Sequence, residues 1–213
     1  MAYFRSRKWN FNFEVMIYSK EKIEKAVKTK GYKWFEGPKD FDLNIVGVRN
    51  SDSGFRVTNI FDDVLTLSFK IGSEWIYKEW PITTDPGKKA MQHFSNPNGV
   101  ARLVPNQYRG SHAIGLHQGK YEALRQVKPV TIYRDSNKDL TYDESRTQTG
   151  IFGINIHRSN PKTESQFVEN WSEGCQVFKR VKDFNEFMSI AKNASKMYSN
   201  SFTYTLILSN DIL

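Results

Sequence analysis

Apolar residues in this chain fall mainly in short runs of strand length, separated by clusters of Gly, Pro, Asn and Asp. Across residues 64–71, Leu65, Leu67, Phe69 and Ile71 alternate with Thr66, Ser68 and Lys70. That period of two predicts a strand with one buried and one solvated face. Gly72-Ser73 suits a type II′ turn, so residues 74–80 are predicted to return as the second arm of a hairpin. The run 43–48 is short, apolar and strand-like. Residues 100–104, 113–117, 129–134, 150–157 and 202–208 add further strands. Residues 81–87 and 93–99 carry Thr, Asp, Asn, Pro and Gly and are predicted to be long loops.

Two segments have helical rather than strand period. In 19–30, Ser19 can cap the N-terminus, Glu21 sits in the first turn, and Ile23, Ala26 and Val27 form a narrow apolar stripe before Gly31. In 184–198, Phe184, Phe187, Met188, Ala191 and Ala194 share one face, and Asp183 with Glu186 has capping-box spacing. No repeat and no low-complexity linker interrupts the chain. The pattern predicts a mainly β (α+β) fold, one domain over 1–213, with residues 1–40 as a basic N-terminal helical extension.

Composition narrows the class. Hydrophobic residues make up 38% and aromatics 14% of the chain, as in a folded globular protein. No apolar run is long enough to predict a membrane-spanning helix. Residues 1–15 mix Arg and Lys with aromatics and show no apolar segment followed by a cleavage site, so no Sec-type signal peptide is predicted and the chain is expected to be cytoplasmic when made. The net charge of +8 suits a polyanionic partner such as nucleic acid, anionic lipid or an anionic cell wall. Ten Lys or Arg against five acids lie in residues 1–40, a distribution that a solvated helix face explains better. No zinc-finger, homeodomain or RNA-recognition pattern accompanies the charge, which disfavours nucleic acid. The chain has one cysteine, so no intrachain disulfide can form.

That cysteine has suggestive surroundings. In Ile151-Phe-Gly-Ile-Asn-Ile-His157, Phe152, Ile154 and Ile156 share one face; His157 lies on the other with Asn155 and Gly153. A small, polar face can border a cleft. Period alone leaves His157 equally open to a structural reading. Eighteen residues on, Cys175 stands in Trp171-Ser-Glu-Gly-Cys-Gln-Val-Phe178. Gly174 permits a turn that aims successive N–H groups at one point, as a developing oxyanion requires. A thiol needs a base to become a nucleophile near neutral pH, and histidine suits that task.

His157, the spacer, and then Ser172-x-Gly174-Cys175 together resemble the signature of the L,D-transpeptidase catalytic domain (the YkuD-like family). The resemblance covers about residues 150–178. It departs from the family pattern at Glu173, where the family has His, and at Val177, where it has Arg or Asn, which marks a divergent branch. The resemblance implies an L,D-transpeptidase-like β-sandwich or barrel with a few flanking helices. It implies Cys175 as nucleophile, His157 as base, the carbonyl of Arg158 orienting the imidazole, and the N–H groups of Gly174 and Cys175 as oxyanion hole. His117, Asn155, Ser172 and Glu173 are then expected around the substrate, a peptidoglycan stem peptide, with no cofactor. A phage-encoded enzyme, with virion proteins as partners, would fit delivery without Sec export. The rival reading is a non-catalytic virion or wall-binding module of the same fold, motivated by Glu173 and Val177. A catalytic Cys175 is expected to alkylate at lower pH than a free cysteine.

Three further features carry alternatives. His112 and His117 are five apart, a spacing that suits a shared metal on neither a helix nor a strand, and no zinc site is predicted. Residues 135–143 place oxygen ligands as in a calcium loop, but Leu140 and Arg146 stand where Gly and Glu belong, so Asx turns are the better reading. Tyr32, Trp34 and Phe35 are expected to cover a small core beneath the first helix.

Overall fold

The computed structural model describes residues 17–212, so residues 1–16, which hold all of the sequence on which the signal-peptide reading rests, and residue 213 lie outside it. Within these, eight strands close into a barrel. They are β1 (Asn44–Arg49), β2 (Asp63–Ile71), β3 (Glu74–Thr83), β5 (Gln107–His117), β6 (Tyr121–Gln126), β9 (Ile156–Arg158), β10 (Gln176–Phe178) and β11 (Phe202–Leu208). Their order around the barrel is β1-β11-β5-β6-β9-β10-β3-β2. The remaining strands, β4 (Val100–Leu103), β7 (Val130–Asp135) and β8 (Thr147–Gly150), form a separate three-stranded sheet. Helices α1 (Lys20–Thr29), α2 (Lys88–Gln92) and α3 (Val181–Met197) complete the mainly β architecture. Among the described residues no helix is long and apolar enough to cross a membrane.

One core joins these parts. Ile45, Leu67 and Leu206 from the barrel meet Ala101 and Ile132 of the smaller sheet and Phe184, Phe187 and Ala191 of α3. On the opposite surface of β1, α1 buries Ile23, Ala26 and Val27 against Val46, Val48, Val64 and Ile207. Each large side chain so buried contributes about 1.5–3 kcal/mol. The part of residues 1–40 that is described therefore packs against the barrel. Trp34 is buried there, with Tyr32 at its margin. Covering both faces of the sheet is also why Thr66 and Ser68 are buried, where alternation predicts a solvated face. Ser19 caps α1 through its hydroxyl, which accepts from the Lys22 N–H.

The hairpin forms with Gly72 at φ +58. Its second arm continues past Trp80 to Thr83, because β3 is paired on both sides, with β2 and from Ile82 onward with β10. Residues 150–157 do not form the single strand that their period suggests. Gly153 takes φ +75, and the Gln126 side chain supplies what a ladder would: its Oε1 accepts from the Phe152 and Ile154 N–H groups at 3.0 and 2.9 Å, and its Nε2 donates to the Gly150 carbonyl at 2.8 Å. The expected capping box at α3 is also absent. The helix starts earlier, at Val181; Asp183 pairs with Arg180, and Glu186 accepts from Trp80 Nε1 at 3.1 Å. In the 135–143 loop, Asp135, Asn137 and Asp139 accept backbone N–H groups two residues on, the geometry of successive Asx turns.

Candidate active site

The parallel pair β9–β10 brings the two candidate residues into one neighbourhood. Gln176 lies opposite Ile156 and Val177 opposite His157. Ile156 and Phe178 enter the barrel core. Val177 points away from it, into a small cluster with Phe61 and Val168 against which Cys175 packs. Extending the register by one residue sets Cys175 beside Asn155, a diagonal step from His157.

His157 is only 4% exposed. Its Nδ1 lies 2.8 Å from the Arg158 carbonyl oxygen. A carbonyl only accepts, so Nδ1 carries the proton of the neutral ring and Nε2 is the basic nitrogen. The Tyr121 hydroxyl stands 3.3 Å from the same Nδ1 and donates to the same carbonyl at 3.3 Å. The His117 ring stacks on His157 with centroids 4.1 Å apart. Burial, then the charge a neighbouring His117 would carry, pushes His157 down to about 3. His117 is itself lowered, by burial and then by Arg125, Lys120 and Arg158. Both rings are thus held neutral.

The thiol makes no hydrogen bond to the imidazole. Cys175 Sγ donates to the Gly153 carbonyl at 3.2 Å and accepts the Asn155 N–H at 3.4 Å. Burial is the main reason its pKa is pushed up, to about 11; the Asn155 N–H opposes this and the Glu173 carboxylate adds to it. The lowered value expected of a catalytic Cys175 is not found: among the described residues no cation offsets the desolvation, and an acid is near.

The turn before Cys175 is built around Gly174. Its φ is +134, and a Cβ there would stand 2.1 Å from the Ala101 carbonyl oxygen. Ser172 is fully buried. Its hydroxyl donates to the Cys175 carbonyl at 2.8 Å and accepts the Gly174 N–H at 3.1 Å. That N–H, expected in the oxyanion hole, is therefore already engaged. Glu173 accepts Ser95 N–H and hydroxyl donors, the latter at 2.7 Å. Asn155 is occupied at both ends: Oδ1 accepts from the Gln126 N–H, and Nδ2 lies 3.1 Å from His117 Nδ1. Ser172, Glu173 and Asn155, expected as substrate contacts, each have hydrogen-bond partners within the fold. Sequence reading passed over Tyr121 and Gln126, which order this site from β6; no local motif marks either.

An open groove of about 590 Å³ adjoins the site, lined by Tyr121, Arg158, Phe184, Asn185 and Lys192 among others. Among the described residues no group of three or more His, Cys, Asp or Glu is arranged to hold a metal ion. Comparison of the chain with family models, curated proteins and solved structures finds no match.

Proposed function

We propose that this chain is a cysteine acyl-transfer enzyme of the L,D-transpeptidase type, on a related β-barrel fold, acting on peptidoglycan stem peptides. The observation that carries this reading is the tautomer of His157: Nδ1 is fixed by the Arg158 carbonyl, leaving Nε2 as a base on the strand beside Cys175. The thiol must turn from the Gly153 carbonyl toward Nε2. Sγ then attacks the peptide carbonyl as its proton passes to Nε2, forming a tetrahedral oxyanion. With the Gly174 N–H engaged by Ser172, stabilising that oxyanion falls to the Cys175 N–H. Collapse breaks the C–N bond, Nε2 returns the proton to the leaving amine, and a thioester remains. Water or a second amine then attacks it, giving hydrolysis or exchange. With the imidazole held to about 3 and the thiol raised to about 11, this proton transfer is strongly uphill in the resting site, so the route requires substrate binding to bring the two values together. The net charge of +8 favours residence on an anionic wall.

A second reading, a wall-binding or virion module without catalysis, is favoured by one observation: the Cys175 thiol is bonded to backbone and raised to about 11 rather than paired with His157. Mass spectrometry of purified sacculi separates the two. New muropeptides from wild-type protein and none from Cys175→Ala support the enzyme, and their masses tell hydrolysis from exchange. No product from Gram-negative or Gram-positive walls rejects it in favour of the binding module.

A further inference from the structure

The groove beside His157 presents a cation whose role the fold leaves open. Arg158 follows the histidine in β9, and its guanidinium lies over the Tyr121 ring, 4.1 Å from the centroid. It is half-buried, and the one hydrogen bond it makes among the described residues is from Nη1 to the Ser159 carbonyl at 3.1 Å. Among those residues no carboxylate lies within ion-pair distance. The other cation of the groove is already matched, Lys192 pairing with Glu122 at 2.5 Å. A guanidinium seated over an aromatic ring is held in place while the N–H groups not used within the fold stay available to a ligand. Such an edge fits a carboxylate in two parallel hydrogen bonds. Arg125 and Lys120 add positive potential from the strand pair on the same side, and with Arg158 they help hold His117 neutral. Tyr121 and Arg158 both line the groove, and the Tyr121 hydroxyl and the Arg158 backbone carbonyl both meet His157 Nδ1, so a group bound there lies on the Nδ1 side of the imidazole.

We propose that the groove between β6, the segment following β9, and α3 is a subsite for a free carboxylate of the peptide substrate, held by the Arg158 guanidinium beside the His157 imidazole. The proposal rests on the acyl-transfer reading and sharpens it: the substrate is a carboxylate-bearing peptide rather than any peptide of suitable shape. Arg158 then has two separable roles. Its backbone carbonyl orients the base, and its side chain selects the substrate. Substitution of the side chain leaves the first role in place.

Binding is measured calorimetrically in the Cys175→Ala protein, which cannot turn over. The probes are a synthetic stem tetrapeptide ending in D-alanine with free carboxylates, and the same peptide fully amidated. Arg158→Gln is expected to weaken binding of the free-carboxylate peptide about 10- to 100-fold, to leave the amide unchanged, and Arg158→Lys to recover part of the loss. Equal binding of the two peptides to the Arg158-containing protein overturns the subsite, as does an equal effect of Arg158→Gln on both. So does failure of the free-carboxylate peptide to bind at millimolar concentration. The sacculus assay reads the enzyme separately. Products that form equally well with Arg158→Gln sink the subsite and keep the enzyme; peptide binding without any product sinks the enzyme and keeps a carboxylate site.

Discussion

Replacing Gly174 by alanine tests whether the turn that presents Cys175 is as tightly constrained as its geometry indicates. The added methyl would stand 2.1 Å from the Ala101 carbonyl oxygen, 2.9 Å from its carbon and 3.0 Å from Ala101 Cβ, at a backbone φ of +134. Holding a non-glycine residue in that region costs about 1–3 kcal/mol. The overlap cannot be relieved by a rotamer, because its partner is backbone. Ala101 is fixed from both sides, donating to the Glu173 carbonyl at 2.9 Å and pairing with Arg134 in the small sheet. Forcing these apart adds about 1–3 kcal/mol of overpacking. The expected loss is therefore about 2–6 kcal/mol, a large share of the ~5–15 kcal/mol that stabilises a domain. Gly153→Ala is the matched control: its φ is +75, but nothing lies within 4 Å of the added methyl. It should cost only about 1–2 kcal/mol. Urea unfolding followed by tryptophan fluorescence gives both values, provided the slope is unchanged. If the variants lose equal stability, or Gly174→Ala loses less than Gly153→Ala, the close approach to β4 is not what demands glycine.

Three further outcomes follow from the same structure. With its pKa near 11 against an ordinary 9.0, folded Cys175 has about a hundredfold less thiolate at pH 7.5. The greater nucleophilicity of a more basic thiolate recovers part of this, so iodoacetamide should label it about tenfold more slowly than the urea-unfolded chain. Glu173→Gln should narrow the gap, and labelling faster than the unfolded chain would refute the assignment. His157 is held to about 3 against 6.5, so the unfolded chain takes up its proton first as pH falls. Its contribution to stability is whole above pH 6.5 and drains away toward pH 3. The stability of wild type relative to His157→Gln should therefore fall by about 1–2 kcal/mol from pH 7 to pH 5, and a pH-independent difference would contradict it. Arg49 is 2% exposed, pairs with Asp85 at 2.9 Å and donates to the Leu103 carbonyl at 2.9 Å. Arg49→Met should cost about 3–5 kcal/mol in thermal or urea unfolding, and a neutral result would show the buried ion cluster to be dispensable.

Local sequence determined those elements whose own residues suffice to define them. The alternation of 64–71 with Gly72-Ser73 yields a hairpin, Ser19 with the Ile23, Ala26 and Val27 stripe yields α1, and the apolar face of α3 is readable without any partner. The helix start at Val181 was not, since Arg180 and Trp80 draw off the two acids that would form its cap. Short strands such as β6 and β10 have no legible period, because three to six residues become a strand only when neighbours pair with them. The same division runs through the candidate site. Sequence could nominate Cys175, His157 and Gly174 by residue type and spacing, and it could not place them relative to one another. Tertiary structure set Arg158 O on His157 Nδ1, laid His117 and Tyr121 against the imidazole, and turned the thiol to Gly153 and Asn155. It also set the acidity of Cys175, because a thiol's pKa depends on the water it loses and the charges it meets. Both are decided by segments far away in the chain.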